Sequence, residues 1–473
     1  MYAKSSIRIK TNRGLTESFP SSIGVRQGDN LSPMLFNIFI NDIPKMLSSC
    51  NDTPCLNDIK LPCLLYADDM ILLSESKSGL QDQLDLLGNY CDKWFLKINP
   101  EKSQTMCIRP LRSKIESSNM SFTMNGSILK STTSYVYLGA MINEKGNFKM
   151  QTDYMSSKAL KAVYKLFKTI SSLKFDICTQ FHLFDHLIKP ILLYAREATF
   201  SSTTLKNTED LLCKNNIEKV HTLFIRSILG VHNRSPIDAI YGDTGRFPLY
   251  IETVVNMYKY YCKVNKNPAQ SLVQNAMLEA EKMHYEGINT WFTPLAHILS
   301  DLGLDLKSNL NVLSLKSLLQ AKFKLAWQVR IQKSPKLRTY IKFKTHFGLE
   351  PYLKHLREKI KRSQISKIRV SAHTLEIEKG RHKKERVHAD QRFCRFCPNQ
   401  VEDEQHFIIK CPKYDYYREK FYLEISKCAT NFKALTDEEK LIWLFIMEDH
   451  DLIYKLASFL QICNEIRNLK TPG

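Results

Sequence analysis

No stretch of this chain is apolar for long enough to cross a membrane as a helix. The longest late run, Leu441-Ile442-Trp443-Leu444-Phe445-Ile446-Met447, is far short of the roughly 18 residues a span requires. Met1-Tyr2-Ala3-Lys4 leads into no hydrophobic signal region. Paired cysteines are missing too: 13 is an odd number, most stand singly in apolar stretches, as Cys107 and Cys262 do, and a reducing compartment would keep them as thiols. These absences predict an intracellular protein, in nucleus or cytoplasm, with no membrane partner. Acid is also scarce. The 68 Lys and Arg against 48 Asp and Glu leave a net charge of +20, more than solubility needs and suited to a polyanion. Disorder is excluded, because 43% apolar and 10% aromatic residues over 473 positions are ample for cores of about three domains. There is no internal repeat.

What is present begins with two adjacent carboxylates in a greasy segment, Leu64-Leu65-Tyr66-Ala67-Asp68-Asp69-Met70-Ile71-Leu72-Leu73. Short apolar runs on either side of a polar break predict a tight hairpin of two mostly buried strands, with the acids at its tip. Side-by-side carboxylates on a low-dielectric scaffold repel unless a cation compensates them, and magnesium suits such oxygen ligands. The plain alternative is a polar turn, since Asp is a common turn residue.

Upstream lies Gly24-Val25-Arg26-Gln27-Gly28-Asp29-Asn30-Leu31-Ser32-Pro33. It reads as a glycine-containing loop entering a helix, with Ser32 as N-cap and Pro33 at the first helical position. Arg26, the amides near Gly28 and the positive helix end make a place for phosphate or a nucleotide.

Together the two segments resemble motifs B and C of reverse transcriptases of non-LTR, LINE-like retrotransposons, where a GVRQGDxLSPxLFN segment precedes a YADD hairpin. Asn99-Pro100-Glu101-Lys102-Ser103-Gln104-Thr105 is similar to motif D, and Tyr135-Val136-Tyr137-Leu138-Gly139 to the motif at the palm and thumb boundary. Leu187 to Tyr194 and Tyr241 to Tyr250 are similar to segments that follow the polymerase core in such elements. The resemblance implies an RNA-directed DNA polymerase, a nucleotidyltransferase whose partners are an RNA template, a DNA primer and dNTPs, with no protein partner indicated. It implies that Asp68 and Asp69 hold Mg2+ and that Lys102 neutralises or protonates the leaving pyrophosphate. Arg26, Gln27, Gly28, Tyr66 and Ala67 would bind nucleotide and template, and Leu138 and Gly139 would seat the primer end.

One departure counts against activity. Polymerases of this class use a further Asp, on a motif A strand upstream of motif B, to hold two metals roughly 4 Å apart. Residues 1–22 contain no Asp, and their only carboxylate is Glu17. The expectation is therefore a chain truncated at its N-terminal side, with fingers and motif A missing and catalysis incomplete. The alternative is a non-catalytic RNA- or DNA-binding remnant.

One cysteine group has ligand spacing: Cys394-x2-Cys397-x8-His406-x4-Cys411. Four such ligands close a tetrahedral site with no open position, so the pattern predicts a structural Zn2+ in a nucleic-acid-binding knuckle. Four unrelated residues are the bland alternative; similarity to the C-terminal knuckle of LINE-like proteins supports the metal. Before it, residues 351–395 hold 14 Lys or Arg and 5 Asp or Glu, a one-sided excess that predicts RNA contact, with Arg381, Lys383, Lys384 and Arg386 at its centre and Phe393 and Phe396 able to stack on bases. A solvated charged face would look the same.

The predicted fold is α+β: a partial right-hand polymerase palm over 1–146, a thumb and helical region over 147–350, and a basic segment with CCHC knuckle and C-terminal helices over 351–473. Asn125-Gly126 predicts a hairpin turn, and Ser78 to Gln81 a helix start resembling a capping box. Lys158, Lys161, Lys165 and Lys168 recur at spacings of three and four, so they share one stripe of a predicted thumb helix, suited to a duplex backbone or simply to solvent. His182, His186, His221 and His232 are read as packed or surface histidines.

Overall fold

In the computed structural model the described residues are 6–21, 24–109, 120–200, 211–212, 214–266, 271–306, 310–382 and 387–469. They form two compact units: residues 1–147 with 268–282, and residues 148–267 with 283–473.

All the strands of the described residues lie in the first unit. Its core gathers Ile40 from the end of the helix Ser32–Phe39, Ile43 and Leu47 from the helix Ile43–Leu47, Leu84, Leu87, Tyr90 and Cys91 from the helix Lys77–Lys93, and Phe122, Met124 and Leu129 from a hairpin. That hairpin pairs Phe122–Met124 with Ser127–Ser131, and the strand Gln104–Thr105 adds parallel to it. Asn125 and Gly126 both take positive φ, as a type I′ turn requires, which is why this turn was readable from sequence. A second hairpin, Ser134–Tyr137 with Ala140–Asn143, carries the segment that resembles the palm and thumb boundary motif. Its turn is Leu138-Gly139, again both at positive φ, and a branched apolar residue at the first position gives no turn signal.

Helix starts are corrected in two places. The Lys77–Lys93 helix is capped by Ser76, whose hydroxyl accepts from the Gly79 N–H at 3.0 Å, rather than opening at Ser78. Ser32 is already helical in Ser32–Phe39, the N-cap position falling on Leu31; the preceding turn is held by Asp29 Oδ1, which accepts from the Leu31 N–H at 3.1 Å. Most of that helix is apolar yet exposed, including Met34, Leu35, Ile38 and Phe39.

The second unit is helical. The helix Lys149–Leu173 buries Met155, Ala159, Val163 and Leu166 along one stripe, and Lys158, Lys161, Lys165 and Lys168 all lie exposed. Beyond it, Ile177–Leu183 runs into a π-helical turn, Phe184–Ile188. The core is aromatic, with Phe224, Tyr241, Phe323, Trp327 and Tyr340 fully buried. Gly242 is packed so closely that a Cβ there would meet Trp327 at 2.7 Å.

The expected boundary near residue 350 falls inside this unit. Arg362, buried in the helix Lys359–Arg369, donates to the Ile228 carbonyl at 2.9 Å and to the Leu356 and Arg357 carbonyls at 2.9 and 3.1 Å. It thus satisfies helix-end acceptors that would otherwise be orphaned. Among the described residues no helix is long and apolar enough to cross a membrane.

Candidate functional site

Cys63–Tyr66 and Asp69–Leu72 pair antiparallel with Tyr66 opposite Asp69, so Ala67 and Asp68 are the two residues of the turn. Ala67 has φ of 52°, a position that glycine ordinarily takes, and such strain is concentrated at functional sites. Tyr66, Ala67, Asp68 and Asp69 are all exposed, which presents both carboxylates to solvent at the tip. The strands are less buried than expected: only Cys63 is fully buried, while Leu64, Leu65, Met70, Ile71 and Leu72 are half-buried. The reason lies in the pairing, because among the described residues these strands pair only with each other and both outer edges are open.

The turn of the neighbouring motif lies within electrostatic reach. Burial, and then the charge of Asp69, raise the Tyr137 phenol above its ordinary value. Tyr137 therefore belongs to the acid pair's surroundings, with Leu138 and Gly139 directly after it in the hairpin turn. Tyr137 lies in the segment similar to the palm and thumb boundary motif but is not among the site residues expected from sequence; no local signal marks its pairing opposite Ala140, next to the turn. Among the described residues no third carboxylate joins Asp68 and Asp69 in a metal-sized group.

Arg26, Gln27 and Gly28 are exposed in the loop before Ser32–Phe39, with Gly24 and Gly28 at φ of 83° and 87°. Both glycines have open space where a Cβ would stand, so backbone conformation rather than crowding requires them. Lys102 is exposed in a turn whose amide donates to Asn99 Oδ1 at 3.2 Å.

The cysteine group is brought together as its spacing predicts. Phe393 and Val401 form an antiparallel bridge, and the Cys394 N–H donates to the Gln400 carbonyl at 2.7 Å, so Cys394 and Cys397 sit on a tight hairpin. His406 opens the π-helical turn His406–Lys410, and Cys411 closes it, its N–H donating to the His406 carbonyl at 2.7 Å. One ligand atom from each of Cys394, Cys397, His406 and Cys411 lies within 4.8 Å of the others. Cys397 Sγ and Cys411 Sγ are 3.7 Å apart, close to the ~3.8 Å edge of a tetrahedron with Zn–S bonds of about 2.3 Å. His406 Nε2 is buried without a hydrogen-bond partner, which a metal bond would satisfy. Burial first, and then neighbouring sulfurs, raise the Cys411 thiol, so the set holds thiolates only around a cation. Arg418 fixes the frame, donating to the Ile408 and Cys411 carbonyls at 2.9 and 2.8 Å.

The basic run is less available than its charge implies. Arg362 and Arg369 are buried, and Arg392 donates to the Val387 carbonyl at 2.9 Å. Arg381 donates to the Pro335 carbonyl at 3.0 Å and pairs with Glu378 at 3.1 Å. Lys383, Lys384 and Arg386 lie outside the described residues. Phe393 is exposed and Phe396 half-buried.

Residues 1–142 match the family described as Reverse transcriptase (RNA-dependent DNA polymerase). The chain is similar to the RNA-directed DNA polymerase from mobile element jockey of Drosophila melanogaster, at 26% identity over 41% of this chain and 22% of that protein. It is similar also to the Pol polyprotein of type-1 retrotransposable element R2 of Nasonia vitripennis, 29% over 31% and 15%. A probable RNA-directed DNA polymerase from transposon BS of Drosophila melanogaster is 31% identical over 26% of the chain and 14% of its own length. The chain thus spans less than a quarter of these relatives.

Proposed function

We propose, from the premise that residues 1–142 carry a reverse transcriptase segment of the non-LTR retrotransposon kind, that the chain supplies palm and thumb parts of an enzyme copying RNA into DNA. The observation that carries this is the acid pair presented at the tip of an otherwise apolar hairpin, within reach of Tyr137. Magnesium ions held there would stabilise the attacking 3′ oxygen and the triphosphate of an in-line displacement. Asp68 and Asp69 would hold those ions. Arg26, Gln27, Gly28, Tyr66 and Ala67 line the approach of nucleotide and template, Lys102 meets the leaving pyrophosphate, and Leu138 with Gly139 supports the primer end. The lysine stripe of Lys149–Leu173 would run beside the template and primer duplex, and the Cys394, Cys397, His406 and Cys411 knuckle would hold a structural zinc beside bases stacked on Phe393.

Two carboxylates do not complete a two-metal site, and the absence of a third among the described residues favours a chain that binds nucleic acid without extending it on its own. The open edges of the Cys63–Tyr66 and Asp69–Leu72 hairpin and the exposed apolar face of Ser32–Phe39 fit a palm that further polypeptide completes. With RNA template, DNA primer, dNTPs and magnesium, the 473 residues alone should give no primer extension. Joined to a strand carrying a third Asp, they should extend, and Asp68→Ala should abolish it. Extension by the chain alone that vanishes in Asp68→Ala would overturn the incompleteness; a joined polypeptide indifferent to Asp68→Ala would overturn the polymerase reading.

The lysine stripe has its own test. Log affinity for duplex should fall linearly with log salt, by roughly 0.9 per phosphate contacted. Replacing Lys158, Lys161, Lys165 and Lys168 with Gln should flatten that slope and weaken duplex binding more than single-strand binding. Filter binding at several salt concentrations decides it, an unchanged slope marking the stripe as plain surface.

A further inference from the structure

Inside the second unit a cleft of about 530 Å3 opens between the stretch from Lys189 to Glu197 and the helix Leu249–Asn265, a volume in the range of small-molecule and cofactor sites. Pro190 and Leu193 make part of its wall apolar, and Tyr194 adds a ring that is 47% exposed. Ala195, the next residue of the wall, has φ of 55°, backbone strain of the kind that clusters at ligand sites. This wall includes part of the segment Leu187 to Tyr194, which the polymerase reading leaves without a task.

The polar groups of the cleft are unequally engaged. Glu252 accepts from Lys316 Nζ at 2.7 Å, whereas among the described residues Glu197 makes no ion pair and Asn256 no side-chain hydrogen bond. Burial first, and then the charge of Glu197, raise the phenol of Tyr260, one turn beyond Asn256, so the Glu197 carboxylate is felt on the helix that carries Asn256. Glu197 is backed by the buried Arg196, which donates to the Thr152 hydroxyl at 3.1 Å and the Thr199 carbonyl at 3.3 Å. Lys189 Nζ pairs with Asp185 at 3.2 Å, and an ammonium with three donors keeps others for an anion. A carboxylate and a carboxamide left without protein partners on one cavity, beside an aromatic ring, suit a flat ligand that donates to the first and accepts from the second. Guanine alone among the RNA bases sets two adjacent donors, N1–H and the 2-amino group, beside an acceptor, O6, on one edge. Adenine, cytosine and uracil would each turn a lone pair toward the carboxylate.

We propose that the cleft lined by Tyr194, Glu197 and Asn256 is a guanine-binding site. Glu197 accepts from N1–H and the 2-amino group, Asn256 donates to O6, Tyr194 stacks on the ring, and Lys189 meets the attached phosphate. The base arrives either on a free nucleotide or unstacked from a single strand; the strand rests on the nucleic-acid reading above, and the free nucleotide does not.

The experiment uses the full-length chain without magnesium and two pairs of probes: 5′-GMP against 5′-AMP by calorimetric titration, and a short oligouridine carrying one G against the same strand carrying one A. GMP should bind about 5- to 150-fold more tightly than AMP, the range of one bidentate base contact. Glu197→Gln should remove that preference, because an amide donor would then face the donors of the base, and Asn256→Ala should reduce it. Neither side chain has a protein partner to lose, so thermal unfolding should be unchanged in both variants. A G preference shared by the strands identifies a base on a strand as ligand, and one confined to the mononucleotides identifies a free nucleotide. GMP and AMP binding alike, or a guanine preference that survives Glu197→Gln, overturns the site, even where the strands bind and the nucleic-acid reading stands; strands that fail to bind while GMP is selected count against that reading alone.

Discussion

Cys397→Ser in the full-length chain is expected to lose its tightly held zinc and to unfold the region around the knuckle. A structural zinc couples binding to folding, and apparent binding energies of about 10–16 kcal/mol are typical of zinc-finger peptides near neutral pH. Removing one of four ligands forfeits much of that. The effect should spread past the hairpin, because Arg395 donates to the Arg467 carbonyl at 2.7 Å and Arg467 grips Glu402 with bonds of 2.7 and 2.6 Å. The helix His450–Asn468 should therefore loosen with the knuckle. Metal analysis after dialysis and thermal unfolding followed by circular dichroism are the measurements. An unaltered zinc content, or a melting transition unmoved by a chelator, would make the convergence of these four residues an accident of packing.

Why the knuckle was legible and the basic segment was not comes down to what spacing encodes. Cys394-x2-Cys397 and His406-x4-Cys411 specify local turns, and a local turn nearly fixes where its side chains go. Charge counting carries no such geometry. Arg362, Arg369 and Arg392 add to the same excess as any surface lysine, yet they turn inward to helix-end carbonyls and buried acids. The acid pair was similarly legible, because a two-residue break between apolar runs leaves one register that puts Asp69 opposite Tyr66. What sequence could not give was the half-exposure of those strands, which depends on what covers their edges.

Local signals failed where a neighbour supplied the bond. Ser32 stands in a good cap position, but Asp29 holds the turn; Ser78 opens a plausible box, but Ser76 accepts from Gly79. The Lys77–Lys93 helix ends with Phe95 at φ of 57°, 94% exposed, where glycine is the usual occupant.

The largest stability effect in the helical unit should come from Arg369. Its guanidinium is fully buried, donating to Asp243 at 2.8 and 3.1 Å and to the Phe445 carbonyl at 2.7 Å, with Glu350 at 2.6 Å. Tyr352 adds a bond to Asp243 at 2.9 Å. Burial, outweighing the attraction of Arg369, already raises Glu350, and the charge of Asp243 adds to the rise. Arg369→Ala would leave two acids facing each other in a dry site, and breaking such a buried pair costs about 3–5 kcal/mol. Asp243→Ala should cost a similar amount, and the double substitution less than the sum, because removing both partners leaves no uncompensated charge between them. Denaturant unfolding of the four proteins gives the coupling. The same bonds tie Ile237–Thr244 to Lys359–Arg369, so residues on both sides of position 350 should unfold in one transition. Single variants costing under ~1 kcal/mol, or a piece beginning near residue 351 that unfolds cooperatively by itself, would mean that this charge cluster is not what joins them.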